Sequence, residues 1–259
     1  NRAEILKQEA TALDLRLRMD PEFDLYLKDH AFDSMPILPM AVATELLAES
    51  VQYLYPDFEL SSIEKLEIPA GVMFENGARD LYLSVRELSR SGTQIKAEVW
   101  LSTTTNSNRK NFKAIAALES QRNNCLPDAS RLPLRYDEFV LPSPEAQTMT
   151  VEYVYRNWLF HGPLFQGIGS IDKVGTEGIC GVINAIDIDE CLKDAGKERW
   201  LIDPIMLDSA MQFAGIWARH YMDITVLPVG FGKLSLFAAP NSDNFHVIVS
   251  VPNENKNGE

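Results

Sequence analysis

Apolar residues recur along this chain with two different periods, and the switch between them marks its elements. Ala12 to Met19 alternates apolar with charged residues, Leu13, Leu15 and Leu17 against Asp14, Arg16 and Arg18. That is the period-two pattern of a half-buried strand. The residues ahead of it read as a short polar helix, and Phe23 to Leu27 as a brief extended piece. From Pro39 the period changes, with Met40, Ala43, Leu46, Leu47, Val51 and Leu54 following at three- and four-residue steps. This predicts a buried helix that Pro56 ends. Strand-like runs come next at Ile63 to Ile68, Asp80 to Val85, Gln94 to Leu101 and Asn111 to Leu118, with Gly77 and Gly92 at turn positions. One strand, one buried helix and a meander predict a helix wrapped by a curved antiparallel sheet.

Gln121 to Pro133 has no apolar period and two prolines, and reads as a linker. Beyond it the order of elements loosely recurs. Mixed strand and turn material leads to Phe160, and strands are predicted at Ile168 to Lys173 and Ile179 to Ala185. A second apolar helix follows over about Pro204 to Tyr221, with Leu207, Met211, Ala214 and Ala218 along one stripe. Strands are then expected at Thr225 to Val229, Leu234 to Phe237 and Phe245 to Val251. The reading is α+β: two similar units at 1–120 and 134–259, joined by the linker 121–133, each with one central helix. The repeat is one of architecture, since the halves do not match residue by residue. If the second unit mirrors the first, a closing strand is missing after Pro252.

Composition narrows the function classes. Of the 259 residues 46% are hydrophobic, enough for a sizeable core. No apolar run reaches the roughly 18 residues that span a bilayer. The charged first residues do not make a secretory signal. The chain begins at Asn1 without an initiator methionine and is expected to be a piece of a longer polypeptide. Cys125, Cys180 and Cys191 are odd in number and lack zinc-ligand spacing, which points to free thiols in the cytoplasm and no structural metal. A net charge of −13 argues against nucleic-acid binding, which rests largely on neutralising phosphates.

Two stretches carry candidate chemistry. His30 precedes Pro39 by nine residues, so a titratable imidazole lies on the approach to a helix start whose free N–H groups favour negative charge. In the second helix Asp208 and Gln212 are four apart and share a face. Asp208 sits among Met206, Leu207, Ala210, Met211 and Phe213, surroundings expected to raise a carboxyl pKa and keep it protonated. On that segment alone, the commoner explanation is a carboxylate stabilised by the helix dipole. His161, beside Gly162 and Pro163, is by itself a tucked loop histidine, and His220 and His246 are read as structural. No P-loop, dinucleotide fingerprint, zinc-protease helix or nucleophile elbow is present.

Taken together, His30-Ala-Phe-Asp-Ser-Met-Pro-Ile-Leu-Pro39, His161-Gly-Pro-Leu-Phe-Gln166 and Leu207-Asp-Ser-Ala-Met-Gln212, with Leu227-Pro228-Val229 ahead of a strand, resemble the dehydratase domains of type I polyketide and polyunsaturated-fatty-acid-type synthases. The departures are Ser34 and Met40, where glycine is usual, and His161, where tyrosine is usual. The resemblance implies a double hot dog fold with one shared active site. It implies removal of water from a 3-hydroxyacyl thioester on an acyl carrier protein, with His30 as base and a protonated Asp208 as acid. Gln212 would orient Asp208. Pro39, Met40 and Ala41 would form the oxyanion site, and His161, Gly162, Pro163 and Phe165 would hold substrate. Phe165, Leu207 and Met211 are candidates for an acyl tunnel, or equally for plain core. Implied partners are the carrier protein with its phosphopantetheine arm, other domains of the same synthase, and a second copy in a homodimer. No metal, further cofactor, nucleic acid or membrane is implied. An inactive carrier-binding scaffold and a same-fold isomerase or cyclase are the alternatives.

Overall fold

Ala3–Glu9 (β1) and Ala12–Met19 (β2) pair antiparallel, Ala3 against Leu17 and Glu9 against Ala12. The polar helix expected ahead of β2 is therefore a strand. All seven β1 residues are exposed, so nothing in its burial pattern distinguishes it, and pairing with β2 overrides local propensity. The extended piece expected at Phe23 to Leu27 is also corrected. Phe23 and Asp24 N–H bond the Asp20 carbonyl, and a short helix, Tyr26–Asp29 (α1), buries Tyr26 and Leu27. The computed structural model describes residues 2–105, 109–120, 149–193, 200–237 and 244–252, so the predicted linker at 121–133 lies outside the described residues.

After α1, Ala31–Phe32 (β3) and Met35–Pro36 (β4) form a tight hairpin, and Met40–Leu54 (α2) follows with Pro39 as its N-cap. The meander is Phe58–Glu67 (β5), Arg79–Ser91 (β6), Gln94–Ser102 (β7) and Phe112–Ser120 (β8). Described residues of the second half give helix Val151–Asn157 (α3), a 3-10 turn at Pro163–Phe165, strands Ile168–Gly175 (β9) and Gly178–Asn184 (β10), and helix Ile188–Cys191 (α4). Pro204–Met222 (α5), Gly230–Ser235 (β11) and Asn244–Ser250 (β12) complete it. Helix α3 occupies what reads as strand and turn material. Thr225 to Val229 is not a strand: the strand begins only at Gly230.

A seven-stranded sheet, in the order β1-β2-β6-β7-β8-β5-β11, curves around α2, and β12-β10-β9 packs against α5. Leu47, Ala48 and Val51 of α2 meet Leu81, Val85, Ile95, Val99 and Leu118 of the sheet in one core. Each fully buried Leu, Ile or Val contributes about 1.5–3 kcal/mol. A second core joins Phe213, Ile216 and Trp217 of α5 to Ile168, Ile179 and Ile183. The stripe expected on α5 is displaced. Ala214 is exposed, and the buried face carries Ile205, Asp208, Ser209, Gln212, Phe213 and Ile216. Asp208 and Gln212 occupy that face because the candidate site lies against it.

The two units are joined rather than merely adjacent. β11 pairs antiparallel with β5, Gly230 opposite Glu67 and Ser235 opposite Ser62, so a strand of the second half extends the first sheet. Gly230 has φ +150°, and a Cβ there would collide with the Leu66 carbonyl oxygen, so only glycine fits. Helix α2 also packs on α5. From α2, both carboxylate oxygens of the buried Glu45 accept N–H bonds from Leu201 and Ile202, 2.6 Å each, just ahead of α5. Asp203 then caps α5 by accepting from Ile205 and Met206 N–H. No helix among the described residues is long and apolar enough to cross a membrane.

Candidate active site

The β3–β4 hairpin sets the position of His30. Its two turn residues, Asp33 and Ser34, have φ of 48° and 65°, the paired positive values of a type I′ turn. The reversal brings Ile37 back to His30: Ile37 N–H bonds the His30 carbonyl at 3.0 Å, and His30 Nδ1 lies 2.9 Å from the Ile37 carbonyl oxygen. A carbonyl only accepts, so Nδ1 carries the proton and neutral His30 keeps its lone pair on Nε2. Burial lowers the His30 pKa against the pull of Asp208, with His161 adding to the lowering, which favours that neutral form. The nine-residue spacing from His30 to Pro39 is thus one hairpin plus the approach to α2. The glycine usual at position 34 is now explained as well. A serine at positive φ costs about 1–2 kcal/mol, while glycine loosens the unfolded chain by about 0.4–1 kcal/mol. Ser34→Gly is expected to stabilise the protein by about 0.5–1 kcal/mol in urea unfolding, and a loss of stability would contradict the turn assignment.

Pro39, Met40 and Ala41 form the start of α2 and are all buried. The first intrahelical N–H bond is made by Ala43 to the Pro39 carbonyl at 3.0 Å, so the N–H groups of Met40, Ala41 and Val42 precede the helical ladder. On the facing side, Gly162 N–H bonds the Asp29 carbonyl at 2.7 Å and Leu164 N–H bonds the Asp29 carboxylate at 2.8 Å. A Cβ on Gly162 would collide with Asp29 Oδ1, which accounts for glycine there. Asp29 thereby clamps the His161 to Phe165 loop beside His30.

Asp208 and Gln212 lie on the buried face of α5, 5% and 4% exposed. Gln212 Nε2 donates to Asp208 Oδ2 at 2.9 Å and to the Phe165 carbonyl at 2.8 Å, while its Oε1 accepts from Tyr155 Oη at 2.8 Å. Tyr155, on the unexpected helix α3, also accepts Ile168 N–H at 3.1 Å. It is a residue the sequence reading missed, and no motif signalled it. His161 Nε2 sits 3.2 Å from the same Asp208 Oδ2. The His161 ring stacks on Phe160 at 4.1 Å between centroids and lies 5.5 Å from the His30 ring. Phe165 is fully buried with its ring 5.3 Å from that of His30, and Pro163 opens the 3-10 turn that carries it. Leu207 and Met211 are half-buried against the first core.

One expectation is overturned. Burial does push the Asp208 carboxyl upward, but the hydrogen bond and charge of His161, then His30 and Gln212, outweigh it and hold its pKa below the ordinary aspartate value. The apolar neighbours that suggested otherwise flank it in sequence, and its actual contacts are polar. One ligand-capable atom each from His30, His161 and Asp208 lies within 4.8 Å of the others. Two imidazoles and a carboxylate so placed can hold a divalent metal, and equally can pass protons among themselves.

A family model described as polyketide synthase dehydratase N-terminal domain matches residues 129–258, just over half of the chain and the part with His161, Asp208 and Gln212. The chain belongs to the polyketide synthase dehydratase family. This dehydratase domain is 24% identical over 222 residues to a polyunsaturated fatty acid synthase polypeptide of Thraustochytrium sp. (strain ATCC 26185 / S-3). The match covers 83% of this chain and 7% of that much longer protein. Among solved structures, the dehydratase domain of the CurK module of the curacin polyketide synthase is similar, with a TM-score of 0.69 and 18% identity over 97% of this chain and 86% of that one. The dehydratase domain of a mycocerosic acid synthase-like synthase matches with a TM-score of 0.64 and 16% identity, covering 92% and 79%. The double hot dog architecture of the dehydratase domain is that of these neighbours.

Proposed function

We propose that this domain removes water from a 3-hydroxyacyl thioester carried on the phosphopantetheine arm of an acyl carrier protein, giving an enoyl thioester, as one domain of a multifunctional synthase. The observation that carries the reading is the convergence of His30 from the first unit with Asp208 from the second, His30 holding a free Nε2 lone pair. A neutral imidazole suits abstraction of the proton next to the thioester carbonyl, since its pKa lies near working pH. The enolate-like oxygen that results would lie against the N–H groups of Met40 and Ala41, one such donor lowering a barrier by about 3 kcal/mol. Met40 can stand where glycine is usual because the N–H does not depend on the side chain. Asp208, fixed by Gln212, stands on the side of the departing hydroxyl. Phe165 and the Gly162-Pro163 turn would position the acyl chain.

The test is to incubate the domain with 3-hydroxyacyl pantetheine thioesters of several lengths and follow loss of one water by mass spectrometry. Elimination is the expected result. Tight binding of a loaded carrier protein with no elimination at any length would favour the scaffold role instead, and migration of a double bond in an enoyl thioester would favour an isomerase.

A further inference from the structure

We propose that Tyr155 is a positioning residue of the elimination: its hydroxyl fixes which way the Gln212 amide faces, and through that amide holds Asp208 and Phe165 in place. This rests on the dehydratase reading and goes beyond it, because that reading gives Tyr155 no part in the reaction. The hydroxyl has one proton to place. Ile168 N–H donates to Tyr155 Oη at 3.1 Å, and an N–H accepts nothing, so the Tyr155 proton goes to Gln212 Oε1 at 2.8 Å. At the other end of the amide, Nε2 donates to the Phe165 carbonyl at 2.8 Å and to Asp208 Oδ2 at 2.9 Å. Turning the amide over would set Oε1 against both of those oxygens and leave them without its protons. Three partners, from α3, the 3-10 turn and α5, thus agree on a single orientation. Gln212 is buried, where a polar group that loses its partner is costly.

For packing alone phenylalanine would serve at this position. Helix α3 is capped by Thr150, whose side chain accepts from Tyr153 N–H, it buries Val154, and Tyr155 packs against the second core. Placing a hydroxyl among apolar groups costs free energy unless it is bonded. Here its two bonds go to elements that shape the site, the first residue of β9 and the buried face of α5. The consequence falls on the reacting groups. Gln212 Nε2 and His161 Nε2 both lie against Asp208 Oδ2, and among the described residues Oδ1 takes no hydrogen bond, so Oδ1 is the oxygen left to face the departing hydroxyl. The same amide holds the Phe165 carbonyl, and the Phe165 ring lies 5.3 Å from that of His30. Tyr155 therefore governs, without touching either, how Asp208 and the surroundings of His30 are set against each other. Misplacing a reacting group by about 1 Å costs up to about 10²-fold in rate.

Tyr155→Phe tests this, since it keeps the ring and removes the proton that fixes the amide. For elimination, kcat is expected to fall about tenfold with KM within about twofold of wild type, because a residue acting through Gln212 does not hold substrate. A double-substitution cycle shows whether the effect runs through Gln212. In a Gln212→Met background, Tyr155→Phe should change kcat by less than about twofold. A loss of about tenfold in both backgrounds, or a Tyr155→Phe protein within about threefold of wild type, would overturn the proposal. A merely structural Tyr155 would lower the melting temperature and leave kcat unmoved. The second readout needs no turnover. With isotope-labelled glutamine, NMR can follow the Gln212 side-chain amide, identified by its loss in Gln212→Met. Its protons should exchange with water at least about tenfold faster in Tyr155→Phe than in wild type. Equal exchange in the two proteins refutes the positioning, whereas a wild-type domain that eliminates nothing, with the amide still loosened by Tyr155→Phe, refutes the dehydratase reading.

Discussion

Replacing His30 by alanine is expected to abolish elimination, lowering kcat/KM by about 10³-fold or more while the fold survives. The magnitude follows from removing the general base in a step where a positioned base contributes roughly 10²–10⁴-fold. The fold should survive because His30 is only partly buried and its side chain bonds the Ile37 carbonyl, which the hairpin holds through its backbone as well. His30→Gln makes the test sharper. It can donate to Ile37 as Nδ1 does, yet has no basic nitrogen to accept a proton. Steady-state kinetics with a 3-hydroxyacyl thioester, beside thermal unfolding of each variant, separate the outcomes. If His30→Gln turned over at the wild-type rate, the base would have to be sought elsewhere, and His161 would be the next imidazole to examine.

The largest effect on stability is expected at Glu45, which touches none of the candidate chemistry. Both its oxygens take N–H bonds, from Leu201 and Ile202, and so tie α2 to the segment that launches α5. Glu45→Ala strands both donors, the Ile202 one fully buried, at about 1–3 kcal/mol per group, so a loss of about 2–4 kcal/mol is expected in denaturant unfolding. The wild-type residue also makes stability depend on pH. Burial, with the charge of Glu49 added, pushes the Glu45 carboxyl from 4.5 to about 8, although the two N–H bonds pull the other way. The folded protein then binds a proton that the unfolded chain has released, so this contribution is present below pH 4.5 and is lost as pH rises toward about 8. Asp203, raised by burial, adds in the same direction. Glu45→Gln should flatten the fall across that window. A slope unchanged by the substitution would show that Glu45 is ionised throughout.

Much of the architecture could be read from periodicity. The two central helices begin within a residue of where their prolines place them, because proline is favoured in or just before the first turn. Strands β6 and β8 alternate buried with less buried residues over much of their length, because one face packs on α2. What could not be read had a different physical origin in each case. β1 is exposed throughout and owes its conformation to β2 alone. α3 and α1 are too short to show a period. The downward pull on the Asp208 carboxyl comes from His161, which lies on a loop of another element, and Tyr155 reaches the site across 57 residues of chain. The motifs named His30, Asp208 and Gln212. They gave no account of what sets the protons on them, because that is decided by which groups meet after folding.

The pairing of β11 with β5 has a consequence for how the protein is made. β5 is complete early in synthesis of this domain, yet its partner Gly230–Ser235 emerges only after α5. Until then one rim of the large sheet stays open, with its backbone donors and acceptors unpaired, a surface prone to pairing with other chains. Closure across so long a separation is also slow, since loop entropy must be lost before the contacts form. The nascent chain is thus expected to pass through a stage in which α2 is already wrapped but the sheet lacks its last strand. Truncation before Gly230 should leave a product that aggregates on the ribosome's exit side rather than one half of a stable pair.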